Sequence, residues 1–394
     1  MAGGQVRCGK ILLCISEDWF VLSHFVPLIK TLRGISDELV VATRSSGRIS
    51  EIEELGARVV EFNFQRASLN PARQFHTVRK LVRLIQNERP DVIHSVAMQP
   101  VVLSSLALKF VSVPHAMLHI TGLGFLGISQ TAAARVIRPL GLAVIRSIVR
   151  RPTTWIFAEN PDDLAFVTGA RMDAQTGEQP SEPRQSVLGG AGIDTIAFPA
   201  YPVPENDVPV AAFAGRMIKS KGIDVLLEAA DELRARGVPL YIDLYGRTDP
   251  DNPEAISAKV LNARCREADI TWHGHVADIG EVWRRSDIAI LPSISREGMP
   301  RAVLEAAAAA RPLVITDVAG SRHFARDDVE GLVVPPGDAS ALADALARLA
   351  SDPELRLRLG AAARRRLLAG YTIADVQAGI LNAYTALLSD NMEH

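Results

Sequence analysis

Ile288-Ala289-Ile290-Leu291-Pro292-Ser293-Ile294-Ser295-Arg296-Glu297-Gly298-Met299-Pro300-Arg301-Ala302-Val303-Leu304-Glu305 is the stretch on which the reading of this chain turns. A short apolar run bounded by proline and serine reads as a buried strand, and Pro300 followed by good helix formers reads as the start of a helix. A strand that runs directly into a helix is half of a βα unit. It places the free N–H groups and positive dipole end of the helix at the carboxyl edge of a parallel sheet, where open α/β sheets bind ligands and where an anion is favoured. Glu297 falls in the turn. Glu305 lies about one and a half helical turns beyond Pro300, roughly 8 Å along the axis. Two carboxylates so spaced suit hydroxyls on either side of a diphosphate. For an isolated pair, a capping Glu297 and a solvated Glu305 would be the simpler reading.

The same strand-then-helix alternation extends over the chain and predicts two mostly parallel sheets. In the first half the expected strands are Ile11–Ile15, Leu39–Ala42, Arg58–Glu61, Val92–His94, Ala116–Ile120 and Trp155–Ala158. In the second they are Val210–Ala214, Leu240–Tyr245, Ile270–His273, Ile288–Pro292, Leu313–Thr316 and Gly331–Val334. Between them, Phe198 to Pro209 holds four prolines in twelve residues and reads as an exposed linker. The expected domains are therefore 1–200 and 201–375, with 376–394 as a final helix. The length of 394 residues fits two cores better than one.

Composition narrows the function. With 43 basic and 45 acidic residues the net charge is −2, which argues against a general nucleic-acid binder. The three cysteines, Cys8, Cys14 and Cys265, follow neither disulfide-framework nor zinc spacing. No Asp-x-Asp-like metal cluster stands at a strand end, so neither a cofactor nor an essential divalent ion is expected. The apolar run at Ile11 is too short for a signal peptide, and no run reaches the roughly 20 residues of a membrane span. A soluble or surface-bound protein of a reducing, cytoplasmic compartment is expected.

A second charged motif accompanies the Glu pair. The strand Val210–Ala214 ends in Gly215-Arg216-Met217-Ile218-Lys219-Ser220-Lys221-Gly222, where Gly215 permits a tight exit and Arg216 and Lys221 bring two cations to the same carboxyl edge. Alone it reads equally well as a solvated turn. Beside two carboxylates it points to a diphosphate site.

Gly-Arg-x4-Lys-Gly paired with Glu-x7-Glu resembles the donor half of retaining glycosyltransferases of the GT-B fold, the family 4 type. The likeness extends through Gly246 to Pro253, Trp272 to His275, Thr316 to Arg322 and Gly331 to Pro336, and within the family it points to bacterial enzymes of exopolysaccharide, lipopolysaccharide and lipid-linked oligosaccharide synthesis in the cell envelope. The resemblance implies two Rossmann-like domains facing each other across a cleft, with a C-terminal helix crossing back to the first. It assigns Arg216 and Lys221 to the donor diphosphate, Glu297 to the donor sugar and Glu305 to the ribose. Gly215, Gly298, Met299 and Pro300 supply backbone nearby. His323 departs from the family pattern, where an acidic residue follows the Arg.

The first half matches less tightly. Asp18, Arg66, Thr121 and Gly122 fall where the resemblance places the acceptor side, although Asp18-Trp19-Phe20 replaces the glycine-rich loop of many relatives. Thr121 stands where many relatives carry a histidine. His119, two residues earlier on the same strand face, is the candidate to replace it, the alternative being a buried structural histidine. Arginines interleave with apolar residues from Ala132 to Arg151, which suits either an anionic membrane surface or an ordinary solvated helix. Arg73, Arg79, Lys80 and Arg83 add to a basic first half.

The expected activity is transfer of a hexose or N-acetylhexosamine from a UDP-sugar, with retention, to a lipid-linked or polysaccharide hydroxyl at the inner face of the cytoplasmic membrane. A nucleotide-sugar 2-epimerase and a catalytically silent partner of glycan assembly are the alternatives.

Overall fold

The computed structural model describes residues 7–64, 70–124, 132–169, 184–250, 252, 254–265 and 269–389. The chain divides into two compact units, Met1–Ala191 with Ile373–His394, and Gly192–Thr372.

The first unit is built on a seven-stranded sheet: β1 (Cys8–Glu17), β2 (Ser36–Arg44), β3 (Arg58–Glu61), β4 (Val92–Val96), β5 (His115–Ile120), β6 (Thr154–Ala158) and β7 (Arg184–Val187), in the order β3-β2-β1-β4-β5-β6-β7. Every pairing is parallel. The alternating residues of β1 feed two cores, Leu12 and Cys14 on one face and Ile11, Leu13 and Ile15 on the other, as expected of a strand covered on both sides. Cys8 and Cys14 are buried free thiols.

The second unit carries β8 (Val210–Ala214), β9 (Tyr241–Tyr245), β10 (Ile270–Gly274), β11 (Ile288–Leu291), β12 (Leu313–Thr316) and β13 (Gly331–Val334) in the parallel order β10-β9-β8-β11-β12-β13. Strand order reverses between β8 and β11. Connections leaving a reversal point diverge to opposite faces and open a crevice at the carboxyl ends of its strands.

Twelve of the thirteen strands overlap the expected runs, with β1 and β2 extending beyond theirs. β7 was not anticipated, because Arg-Gln-Ser-Val has no apolar alternation and only an edge position to fill.

The proline-rich segment is exposed and irregular as expected, but the boundary lies before it. Phe198 and Tyr201 pack against the core of the second unit, and the Pro202 carbonyl accepts from the buried Arg311 guanidinium at 2.7 Å. Seven of the twelve residues from Phe198 to Pro209 are exposed and none is buried, so such contacts, rather than burial, hold the segment to the unit. The segment from Gly192 onward therefore belongs to the second unit.

The last helix, Ile373–Ser389, returns to the first unit. Val376, Ile380, Ala383, Tyr384 and Leu387 enter the core that holds Phe25, Leu28 and Leu32, and the Tyr384 hydroxyl meets His94 Nδ1 at 3.0 Å. Gln377 Nε2 donates to Thr31 Oγ1 at 3.0 Å. Among the described residues no helix is long and apolar enough to cross a membrane.

Candidate active site

Three glycines let the backbone of the second unit close around the carboxyl ends of β8 and β11. A Cβ on Gly222, at φ +75°, would fall 1.8 Å from the Pro292 carbonyl oxygen; one on Gly246, at φ +145°, would fall 1.7 Å from that of Gly215. One on Gly320, at φ +88°, would fall 2.1 Å from the Gly298 oxygen. These positions exclude any side chain, because van der Waals overlap is added to backbone strain. The loops after β8, β9, β11 and β12 are thereby pressed together. Glu297 N–H donates to the Ala319 carbonyl at 3.2 Å, and Thr316 Oγ1 donates to the Ser293 carbonyl at 2.5 Å.

Within this frame Lys221 and Glu297 meet directly: Lys221 Nζ lies 2.5 Å from Glu297 Oε2. The buried Ser293 hydroxyl donates to the other carboxylate oxygen, Oε1. Glu297 is therefore no helix cap. The N-cap of the helix Arg301–Ala308 is Pro300, which makes no side-chain capping bond. Glu305, on that helix, is 6% exposed and so not a solvated residue. Burial pushes its carboxyl pKa up, opposed by the Arg301 guanidinium, whose Nε donates to Oε1 at 2.7 Å. Arg216 is more open and pairs with Asp249, 3.3 Å away. Met299 is buried in the core beneath the turn.

The four charged residues singled out in the sequence thus occur as three ion pairs, Arg216–Asp249, Lys221–Glu297 and Arg301–Glu305. Each stands beside a group of opposite charge, and a ligand bearing both phosphates and hydroxyls can replace the internal partners one for one.

Sequence reasoning passed over Ser293, Asp249, Arg301 and Glu254. Glu254 accepts from Ser220 Oγ at 2.6 Å and its carbonyl from Lys219 N–H at 3.0 Å, pinning the loop that carries Lys221. Ser293 with Glu297 and Arg301 with Glu305 are each four apart in sequence, the short spacing that was available as a signal. Arg216 with Asp249 and Ser220 with Glu254 join residues 33 and 34 apart. His323, the departure from the family pattern, offers its carbonyl to Arg366 Nη2 at 3.1 Å.

In the first unit the strand order reverses between β1 and β4, and Asp18 follows β1. Its carboxylate is fully buried and accepts from Trp19 N–H, Ser46 N–H, Ser46 Oγ and Arg48 N–H at 2.6, 2.6, 2.5 and 3.1 Å. Burial raises its pKa, but these hydrogen bonds outweigh it and hold the group below the usual aspartate range. Asp18 thus fastens the loop after β2. Ala97, following β4, adopts φ 75° and ψ 156°, a region that costs a residue with a Cβ about 1–3 kcal/mol.

His119 is 1% exposed, packed against Phe25, Phe157 and His94, with neither ring nitrogen hydrogen-bonded. Burial lowers its pKa to about 4. Of the two readings of this residue, the buried histidine is the one its surroundings support. Thr121 and Gly122, at φ 114°, are partly exposed just beyond β5, and Arg66 lies outside the described residues. The arginines between Ala132 and Arg151 are divided: Arg146 donates to the Val167 and Phe166 carbonyls and Arg151 to that of Leu108, whereas Arg135 and Arg150 are exposed.

Comparison with known proteins agrees with this architecture. Residues 208–352 match the family described as "Glycosyl transferases group 1", and residues 10–149 match "Glycosyl transferase 4-like". The chain is 27% identical over 349 residues to the N,N'-diacetylbacillosaminyl-diphospho-undecaprenol alpha-1,3-N-acetylgalactosaminyltransferase of Campylobacter jejuni, covering 85% of this chain and 88% of that one. It is 30% identical over 184 residues to the lipopolysaccharide core biosynthesis glycosyltransferase LpsE of Rhizobium meliloti, covering 46% of this chain and 50% of that one. Among solved structures, Anabaena HepE in complex with UDP-glucose superposes with a TM-score of 0.73 at 16% identity, over 96% of this chain and 99% of that one. With a glycosyltransferase domain recognised in each half and GT-B enzymes as its structural neighbours, this chain belongs to the two-domain glycosyltransferases of the group 1 and 4-like type.

Proposed function

We propose that the enzyme moves a hexose or N-acetylhexosamine from a UDP-sugar to a hydroxyl of a lipid-diphosphate-linked glycan, with retention of anomeric configuration, at the inner face of the cytoplasmic membrane. The observation that carries this reading is the Lys221–Glu297 contact at the β8/β11 reversal, with Arg216 on the same loop. Lys221 and Arg216 meet the charge that grows on the departing diphosphate, while Glu297, oriented by Ser293, accepts from a donor-sugar hydroxyl. The bond from the anomeric carbon to the diphosphate oxygen breaks and one to the acceptor oxygen forms. UDP leaves, taking the acceptor proton directly or through water. Glu305 grips the ribose. The two cations supply the electrostatic work for which other transferases use a metal, so no essential divalent ion is proposed.

The name of the Campylobacter relative supports a diphospho-lipid acceptor, and the HepE complex supports UDP as the carrier. Exposed Phe75, Phe110 and Leu140, interspersed with Arg79, Arg83, Lys109 and Arg135, suit contact of the first unit with an anionic membrane.

The test is an incubation with a panel of UDP-sugars and a synthetic polyprenyl-diphosphate-linked saccharide, reading UDP release and the anomeric configuration of the product by NMR. Acceptor-dependent UDP release with an α-linked product is expected, falling about 100-fold or more in Glu297→Ala. Recovery of epimerised free donor without transfer, or full activity after replacing both Glu297 and Arg216 by Ala, would overturn the reading.

A further inference from the structure

A cavity of about 530 Å³ opens on the first unit at the carboxyl end of β3. Glu61 and Phe62 line one side, and the opening turns of the helix Pro71–Glu88 line the other with Arg73, His76 and Lys80. Those three residues stand at i, i+3 and i+7 and so share one helix face. All three are exposed, and among the described residues none of them forms an ion pair. This differs from the second unit, where each site cation already holds a carboxylate. The helix has no acidic residue before Glu88, and Arg79 and Arg83 add to its field. Among the described residues Glu61 is the one carboxylate lining the hollow, and it faces this cationic ridge.

The ligand follows from the geometry. The first N–H groups of the helix are already taken, Ala72 and Arg73 donating to Asn70 Oδ1 at 3.0 and 3.3 Å, so side chains must do the binding. Arg73 and Lys80 are separated by roughly 10 Å along the axis. Two linked phosphoryl groups bridge long side chains at that spacing better than one. An Arg fork suits phosphoryl oxygens, and the volume falls in the range of small-ligand pockets, about 300–1,000 Å³. A flat bilayer meets protruding charges, whereas a concave site selects a group that enters it. Phe62, in ring contact with Phe64 at 4.7 Å, gives the hollow an apolar wall.

We propose that this hollow is a binding site for a diphosphate ester, holding through Arg73 and Lys80 the diphosphate of the lipid-linked acceptor. The acceptor part of this inference rests on the function proposed above.

The experiment is calorimetric titration of the full-length protein with farnesyl diphosphate, with UDP saturating so that Arg216 and Lys221 are occupied. Comparison is with Arg73→Gln/Lys80→Gln, whose surface changes leave the melting temperature in place. Expected is binding weakened about tenfold or more in the variant, from the loss of two charge-assisted contacts. UDP affinity and the KM for donor stay unchanged, and the KM for a polyprenyl-diphosphate acceptor rises. Unchanged farnesyl diphosphate binding overturns the site. Inorganic pyrophosphate binding as tightly as farnesyl diphosphate assigns the hollow to a free anion and overturns the acceptor assignment. Loss of adhesion to phosphatidylglycerol vesicles with farnesyl diphosphate binding intact makes the face a membrane contact and overturns the pocket. A wild-type protein that fails to bind UDP at all sinks the donor-site reading instead, a result read independently of the variant.

Discussion

Acidification should loosen the first unit through His119, by an amount the structure sets. The imidazole is buried among Phe25, Phe157 and His94 with no partner for either nitrogen, and burial lowers its pKa from 6.5 to about 4. The folded state therefore prefers the neutral ring, while the unfolded chain takes up a proton as pH falls through the ordinary histidine range. The stability is fully present above about pH 6.5 and is lost progressively down to about pH 4. Integrating between these values gives a loss of about 2 kcal/mol at pH 5 and roughly 3 kcal/mol below pH 4. His94, also pushed down by burial and facing His119, adds in the same direction; Tyr384, bonded to His94, and His24 and Gln377, which line the same small hollow as His119, are the further polar side chains near the ring among the described residues. The clean perturbation is His119→Leu, which removes the titration and two unsatisfied nitrogens while keeping the volume close. Replacing an unpartnered polar group by an apolar one of similar shape is neutral or stabilising, so the variant should be no less stable at pH 7.5. The assay is urea-dependent hydrogen exchange of peptides spanning residues 92–120, read by mass spectrometry at pH 7.5 and pH 5. The wild type should lose about 2 kcal/mol more than His119→Leu on acidification. Equal losses would refute the argument.

Three further outcomes follow from the donor site. Arg301→Met removes the cation that opposes the burial-raised pKa of Glu305, so donor KM should rise as pH falls from 8 to 6, more steeply than in the wild type; parallel profiles would show that Arg301 does not tune the carboxylate. Gly222→Ala must push a Cβ into the Pro292 carbonyl at a positive φ, and should cost about 1–3 kcal/mol of stability and about tenfold or more in UDP affinity, measured by thermal melts and calorimetry. Removing divalent ions with EDTA should leave the transfer rate within about twofold if, as proposed, Arg216 and Lys221 meet the diphosphate charge; abolition restored by magnesium would disprove this.

Much of this was legible before any coordinates, for identifiable reasons. Strands of a doubly covered parallel sheet are short apolar runs, and β8 to β13 stand out as such. β7 did not, because its sequence is polar and its place at the edge is fixed by β6. Although what keeps Gly215 without a side chain is the Phe213 ring, 2.9 Å from where a Cβ would fall, and not a positive φ, the loop after β8 stood out because Gly215, Arg216 and Lys221 lie at fixed spacing. Its internal partners did not, since Asp249 reaches Arg216 and Glu254 reaches Ser220 only after β9 has been laid beside β8. The aromatic residues Phe198 and Tyr201 within the exposed proline-rich segment were the available hint that it would be anchored to the second unit. The fastening role of Asp18 left no mark in the sequence, because three of its four donors come from a loop 28 to 30 residues away.

Calorimetric titration of UDP into the wild type, Arg216→Ala and Lys221→Ala tests the proposed donor site most directly. One site per chain is predicted, weakened about tenfold or more in each variant, because each loses a charge-assisted contact to the diphosphate. UDP binding of undiminished affinity in both variants would contradict the placement of the donor at the β8/β11 reversal.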